Sequence, residues 1–190
     1  LGISTFPYSL KDFFLEGTQQ VSASWITLEN LSFPYCISIN SSYIYEQSTD
    51  ERINQNDAAI TLAHELGHYL GLRHVFSEGG TTSMCTDTDY CKDTPSYNRS
   101  EYEQWLNNLD KQNKYQLKDL AKRYSCEKGE YEAHNIMDYA YCFYNEITLE
   151  QRKRIRHILN YSPLIPGPKE SRIDTRGVQG RLNLPICIMK

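Results

Sequence analysis

Three of the chain's five histidines fall within fourteen residues, TLAHELGHYLGLRH, Thr61 to His74. On a helix, residues four apart lie on one face, so His64 and His68 project one above the other and can grip a single ion. Neutral imidazole suits Zn2+. A third ligand must come from another direction to complete a tetrahedron with one corner open. Gly71 lets the chain turn sharply after His68, and His74 can then return towards the metal. Glu65 stands beside the first ligand, where its carboxylate can reach a water in the open corner. Bound zinc lowers the pKa of such a water from ~15.7 towards ~7. Glu65 can then act as general base and pass the proton on to a leaving amine. HExxH alone recurs by chance on ordinary helices; HExxHxxGxxH adds a glycine and a third ligand at fixed spacing and is far more specific.

The elements that must position these residues are legible to different degrees. Asn56 or Asp57 can cap a helix on which Ile60, Ala63, Leu66 and Leu70 follow a helical period, with Gly71 as its stop. Ahead of it, PYCISINSSYIY (Pro34 to Tyr45) alternates apolar and polar residues and reads as a strand or hairpin. Residues 1–33 read as irregular, with a short strand in VSASWITL, Val21 to Leu28. Residues 75–99 form a long loop of Gly, Thr, Asp, Ser and Cys, which in a compact domain points to function or a bound ion. Residues 100–125 read as polar amphipathic helices, one striped by Tyr102, Trp105, Leu106 and Leu109, the other by Leu117, Leu120, Ala121 and Tyr124. An aromatic, turn-like segment follows over 131–146. The tetrad TLEQ, Thr148 to Gln151, is a capping box opening a helix to about Tyr161. Its pattern predicts Ile155, Ile158 and Leu159 inside, with Arg152, Lys153, Arg154 and Arg156 facing water.

Composition narrows the classes. The 190 residues, 39% hydrophobic and 23% charged, suit a single globular unit. The net charge of −4 is unevenly placed: residues 1–149 hold 11 basic against 21 acidic side chains, and residues 150–190 hold 9 against 3. An acidic site-bearing body argues against nucleic acid as a partner. No apolar run reaches the ~20 residues that span a bilayer. Six cysteines with no CxxC pair fit disulfides in an oxidising compartment, so the chain reads as extracellular or cell-surface. An export signal or lipid anchor would lie upstream of Leu1.

The segment HNIMDYAYC, His134 to Cys142, places Met137 63 residues after His74, in a turn just ahead of the last helix. Together with the histidine motif it resembles the metzincin zinc metalloproteases over about residues 34–160. The resemblance implies an α+β, zincin-like catalytic domain. A small, truncated β-sheet upper lobe and the active-site helix would occupy residues 1–71. A mostly irregular and helical lower lobe with the Met-turn would occupy 72–161, with a helical insertion at about 100–125 and a tail at 162–190. It implies that Met137 is the hydrophobic floor of the metal site and that Tyr139 helps hold the oxyanion.

A further run, GGTTSMCTDTDYCKDTP (Gly79 to Pro95), combines with HNxMDY to look like the pappalysin/ulilysin-type (cytophagalysin) metzincins. In that group the loop is tied by disulfides and binds calcium. Carried over, Asp87, Asp89, Asp93 and Thr94 would offer hard oxygen ligands for Ca2+. The same resemblance implies the bridges Cys85–Cys126 and Cys91–Cys142, with Cys36 and Cys187 left over. Tyr141 would line the substrate pocket where some relatives carry acids, so a preference for Arg or Lys does not carry over. The expected function is that of a zinc metalloendopeptidase hydrolysing peptide bonds of a protein or peptide substrate. The rival is an inactive metal-binding or adhesion module on a protease fold. Glu65 separates the two, because a structural zinc site needs no carboxylate beside its first ligand.

Overall fold

The structure, a computed structural model, describes residues 2–27, 29–31, 35–41, 58–77, 89–111, 113–125, 127–139 and 141–165. In chain order its elements are β1 (Gly2–Ser4), β2 (Tyr8–Leu10), β3 (Gln19–Val21), β4 (Ile37–Ile39), α1 (Ala58–Tyr69), β5 (Phe76–Ser77), β6 (Tyr97–Asn98), α2 (Arg99–Asn107), α3 (Leu117–Leu120), β7 (Lys122–Ser125), β8 (Gly129–Glu132) and α4 (Leu149–Tyr161). β1 runs antiparallel to β4, with Gly2 opposite Ile39 and Ser4 opposite Ile37, and both strands pack on α1. β2 and β3 form a parallel pair, and β5-β6-β7-β8 form a four-stranded sheet in that order.

The N-terminal segment is therefore less irregular than expected. It holds three short strands, the third ending at Val21, and the strand expected to run on from Val21 gives way to a 3-10 turn at Ala23–Trp25, begun where the Ser22 side chain accepts from the Trp25 amide. Of the expected strand at Pro34 to Tyr45, Ile37–Ile39 is extended; Pro34 and the residues from Ser42 to Tyr45 lie outside the described residues, as do Asn56 and Asp57.

Helix α1 buries Thr61, His64, Glu65 and Gly67, and leaves Leu62 47% and Leu66 43% exposed. The apolar period at Leu66 is thus not the buried stripe; the face turned inward carries the titratable groups. Its C-terminus closes as the sequence predicts. Gly71 takes φ 88°, its N–H donates to His68 O at 2.9 Å, and Leu72 N–H reaches back to Gly67 O at 2.9 Å. That pair of bonds is the Schellman ending, which favours glycine because a side chain at positive φ is strained. Here space forbids it as well, since a Cβ on Gly71 would come within 2.8 Å of Ile158 Cγ1.

Two expectations in the second half are corrected. The stripe Leu117, Leu120, Ala121 and Tyr124 is not one helix: α3 stops at Leu120, and Lys122–Ser125 is a strand paired with β8. Burial alternates along β7, so Arg123 points inward and Tyr124 is 74% exposed. On α4 the capping box forms between Thr148 and Gln151. The helix buries Gln151, Arg154 and Ile158 and leaves Leu159 43% exposed, so Arg154 does not face water.

Among the described residues the core divides into three clusters. Leu72, Val75 and Met137 pack with Ile136 and Ile155 directly beneath α1. Phe76, Tyr97 and Tyr102 pack with Leu106 and Tyr131 under the four-stranded sheet. Tyr35, Ile158, Leu164 and Ile165 join the N-terminal strands to α4.

Candidate metal centre

His64 and His68 come from one face of α1, and His74 follows the Gly71 turn. Their Nε2 atoms converge: 3.1 Å for His64 to His68, 2.9 Å for His68 to His74 and 3.2 Å for His64 to His74. Ligand atoms on a tetrahedral ion with bonds of about 2.0–2.1 Å stand about 3.3–3.4 Å apart, so the spacing is close to that of a ligand set. The far side of two rings settles the tautomer. His64 Nδ1 donates to Ile136 O at 2.7 Å and His68 Nδ1 to Leu72 O at 2.8 Å, because a carbonyl can only accept. Their Nε2 lone pairs therefore meet face to face, an arrangement that costs energy unless a cation sits between them. Burial, reinforced by neighbouring imidazoles, lowers the His64 pKa to about 4 and that of His74 to about 2, so both are neutral and ready to ligate at ordinary pH. Among the described residues these three form the one group of His, Cys, Asp and Glu side chains that could hold a metal. The histidine donor set fits zinc.

Glu65 is buried beside His64, and its Oε2 accepts a hydrogen bond from Ser4 Oγ at 2.8 Å. Gly2, on the same face of β1, lies so close that a Cβ there would come within 2.6 Å of Glu65 Cγ. Strand β1 therefore holds the carboxylate from above. Tyr139 stands on the other side, its ring centroid 4.4 Å from that of His74 and 5.4 Å from that of His64. It is 37% exposed, so its ring borders the histidines while remaining open to solvent. An open hollow of about 380 Å3 lies against His74, lined by Ser77, Arg99, Ser100 and Glu103.

Met137 is fully buried below α1 and meets Gly67. A Cβ on Gly67 would collide with Met137 Sδ, lie 3.3 Å from its Cε and 3.5 Å from Leu72 Cδ1. Alanine usually favours a helix interior over glycine by about 1 kcal/mol. Here overpacking, typically about 1–3 kcal/mol, should outweigh that gain. Gly67→Ala is expected to lower the Tm by a few degrees, about 2–4 °C per kcal/mol for a chain of this size. A raised Tm by scanning calorimetry would show that Met137 yields freely.

Comparison with known proteins bears on this site directly. The model of peptidase family M43, described as Pregnancy-associated plasma protein-A, matches residues 25–160, which include the three histidines, Glu65, Met137 and Tyr139. The chain belongs to peptidase family M43. Proteins named extracellular metalloprotease from Arthroderma benhamiae and Trichophyton verrucosum are each 37% identical to it over 108 residues, 55% of this chain and 32% of theirs. One of the same name from Arthroderma otae is 37% identical over 108 residues, 55% of this chain and 33% of its own. The chain thus spans about a third of the length of these curated relatives. No solved structure matches it.

Not every residue expected at the site of this M43 chain is brought there. Asp89 accepts from Cys91 N at 2.9 Å and from Thr94 Oγ1 at 2.5 Å, which knits a turn. Asp93 accepts from Thr148 Oγ1 at 2.8 Å and Glu150 N at 2.9 Å, capping α4. The geometry of these three thus serves loop and helix ends, and nothing among the described residues supports the expected calcium; Asp87 lies outside them. The Cys91–Cys142 bridge is not formed. Both are buried free thiols, pushed up to about 12, chiefly by burial and next by Asp89 and Asp138 respectively. Each has its own surroundings: Cys142 Sγ donates to Asn135 O at 3.3 Å, while Cys91 lies in the Asp89 turn. Cys36 is also a free thiol, and Cys85, Cys126 and Cys187 lie outside the described residues. Tyr141 follows the Met137 turn at φ 41° and is not among the residues lining the hollow beside His74.

The structure also brings in residues that the motif does not announce. Arg154 on α4 donates to Gly71 O from Nε at 3.3 Å and from Nη2 at 3.1 Å, and from Nη2 to Glu16 O at 2.9 Å. It holds the turn between the second and third histidines. Burial lowers its pKa, the cost of placing a guanidinium there. Beneath Tyr139, Asp138 is fully buried and burial raises its pKa to about 6, with Arg123 opposing that rise. The only sequence signal for Arg123 is negative: on a strand read by alternation, the charged residue occupies the inward position.

Proposed function

We propose that this chain carries the catalytic domain of a zinc-dependent endopeptidase of the metzincin type, acting outside the cell on protein or peptide substrates. The observation that carries the reading is the convergence of three imidazole Nε2 atoms, two of them with Nδ1 held by a carbonyl, beside a buried glutamate and a tyrosine ring. The names of the fungal relatives, extracellular metalloproteases, support both the activity and the compartment. No helix among the described residues is long and apolar enough to cross a membrane.

In this reading His64, His68 and His74 hold the ion. Zinc, when bound, supplies Lewis-acid polarisation and makes water a competent nucleophile near neutral pH. Glu65, held by Ser4, takes the proton that the attacking water loses and returns it to the amine that leaves. The Tyr139 phenol offers its O–H to the carbonyl oxygen of the scissile bond as negative charge gathers there. Met137 fills the space under the imidazoles and keeps them from sinking into the core. The hollow beside His74 receives a substrate side chain flanking the scissile bond.

Metal analysis after dialysis should return one zinc per chain, and anomalous scattering at the zinc edge should place it among the three Nε2 atoms. His68→Ala should lose it. A metal held by four protein side chains, or none after reconstitution, would remove the catalytic reading and leave a structural or binding module.

A further inference from the structure

We propose that Arg123 is a positioning residue for Tyr139, so that the segment inserted between the metal motif and the Met137 turn builds part of the catalytic floor. The inference rests on the protease reading for the role of Tyr139, but its geometry is independent of that role.

Both backbone polar groups of Tyr139 are held by one buried ion pair. Arg123 Nη2 donates to Tyr139 O at 3.1 Å, and Asp138 Oδ1 accepts from Tyr139 N at 2.7 Å. Arg123 Nε and Asp138 Oδ2 stand 3.5 Å apart, with side chains 0% and 2% exposed. The pair is braced by β6 and by the inserted segment. The Tyr97 hydroxyl donates to Asp138 Oδ1 at 2.5 Å, and Arg123 Nη1 donates to Leu120 O at 2.9 Å. The guanidinium lies 3.7 Å over the Tyr102 ring, whose hydroxyl also donates to Leu120 O, at 2.6 Å. A buried ion pair is a poor way to gain stability, because lost hydration offsets its attraction and apolar replacements are often as stable. What the arrangement secures instead is direction. With N–H and C=O both held, the Tyr139 backbone is kept in place, and the ring it carries lies 4.4 Å from the His74 ring. A phenol held in advance stabilises developing charge without reorganising during reaction.

The test is a double-mutant cycle on the zinc-loaded chain with a cleavable peptide. Arg123→Lys keeps a positive charge opposite Asp138 but cannot fork to Tyr139 O and Leu120 O. Arg123→Lys and Tyr139→Phe are each expected to lower kcat by about 10-fold with little change in KM. The double variant should be no slower than Tyr139→Phe alone. Equal losses from Arg123→Lys in both backgrounds, or no loss from Tyr139→Phe, would overturn the proposal. Should Arg123→Lys fail to fold, Tyr97→Phe removes one hydrogen bond to Asp138, leaves Arg123 in place and carries the same cycle. Hydrogen exchange decides the matter without activity: the Tyr139 amide should exchange faster in Arg123→Lys while those of α4 do not. If the wild-type chain proves unable to cleave peptides, the protease reading fails by itself. A uniform rise in exchange, or none, would instead overturn the clamp.

Discussion

Glu65→Ala is expected to retain one zinc and the fold while losing turnover by about 10²- to 10⁴-fold, the range for removing a general acid–base group. The zinc should stay because Glu65 is not among the converging ligands. Nothing beneath the metal depends on its carboxylate either, since Met137 packs on Gly67 and the Nδ1 atoms of His64 and His68 are held by Ile136 O and Leu72 O. The fold should survive because, among the described residues, the truncation removes a single side-chain hydrogen bond, that of Ser4 Oγ. Turnover and metal content must be measured on the same preparation. A variant that hydrolyses peptide at the wild-type rate would show that another group takes the proton. A variant that loses zinc would show that the carboxylate supports the ligands rather than the reaction.

The metal motif was legible because its logic is local. Two histidines four apart share a helix face wherever that helix is placed, and a glycine that must take φ 88° marks the turn to the third. The orientation of α1 was not legible. Hydrophobic periodicity assumes that the inward face is apolar, and here it carries His64 and Glu65 while Leu62 and Leu66 look outward. The same assumption hid β7. Leu117, Leu120, Ala121 and Tyr124 satisfy a helical spacing, but the strand that follows α3 turns Arg123 in and Tyr124 out. A charged residue is buried at that position because Asp138 waits there, fifteen residues along the chain and across a strand turn. Composition and spacing do not encode such partners. The capping box of α4 was readable for the opposite reason, since Thr148 and Gln151 satisfy each other within one helical turn.

Arg154→Ala should be among the most destabilising substitutions in the chain, although pattern alone assigns that residue to water with Arg152, Lys153 and Arg156. Position decides it: Gln151, Arg154 and Ile158 lie three and four apart, on the one face of α4 that is buried. The Arg154 side chain is 6% exposed and is held by the carbonyls of Gly71 and Glu16. The Gly71 carbonyl lies in the turn just past α1, beyond the helix's own hydrogen bonds. Hydrogen bonds from a charged donor contribute about 1.5–3 kcal/mol each, and truncation would also leave a void beside Ile158. Part of that is recovered because the guanidinium no longer has to be desolvated, as its lowered pKa reflects. A net loss of about 3 kcal/mol corresponds to a Tm lower by about 6–12 °C in a chain of this size. The measurement belongs in chelator, so that zinc bound by the folded state does not mask the change. Zinc affinity should fall as well, because the carbonyl that Arg154 grips is that of Gly71, on which the direction of His74 depends. A Tm within about 2 °C of wild type would mean that water replaces the guanidinium at both carbonyls and that α4 does not hold the turn.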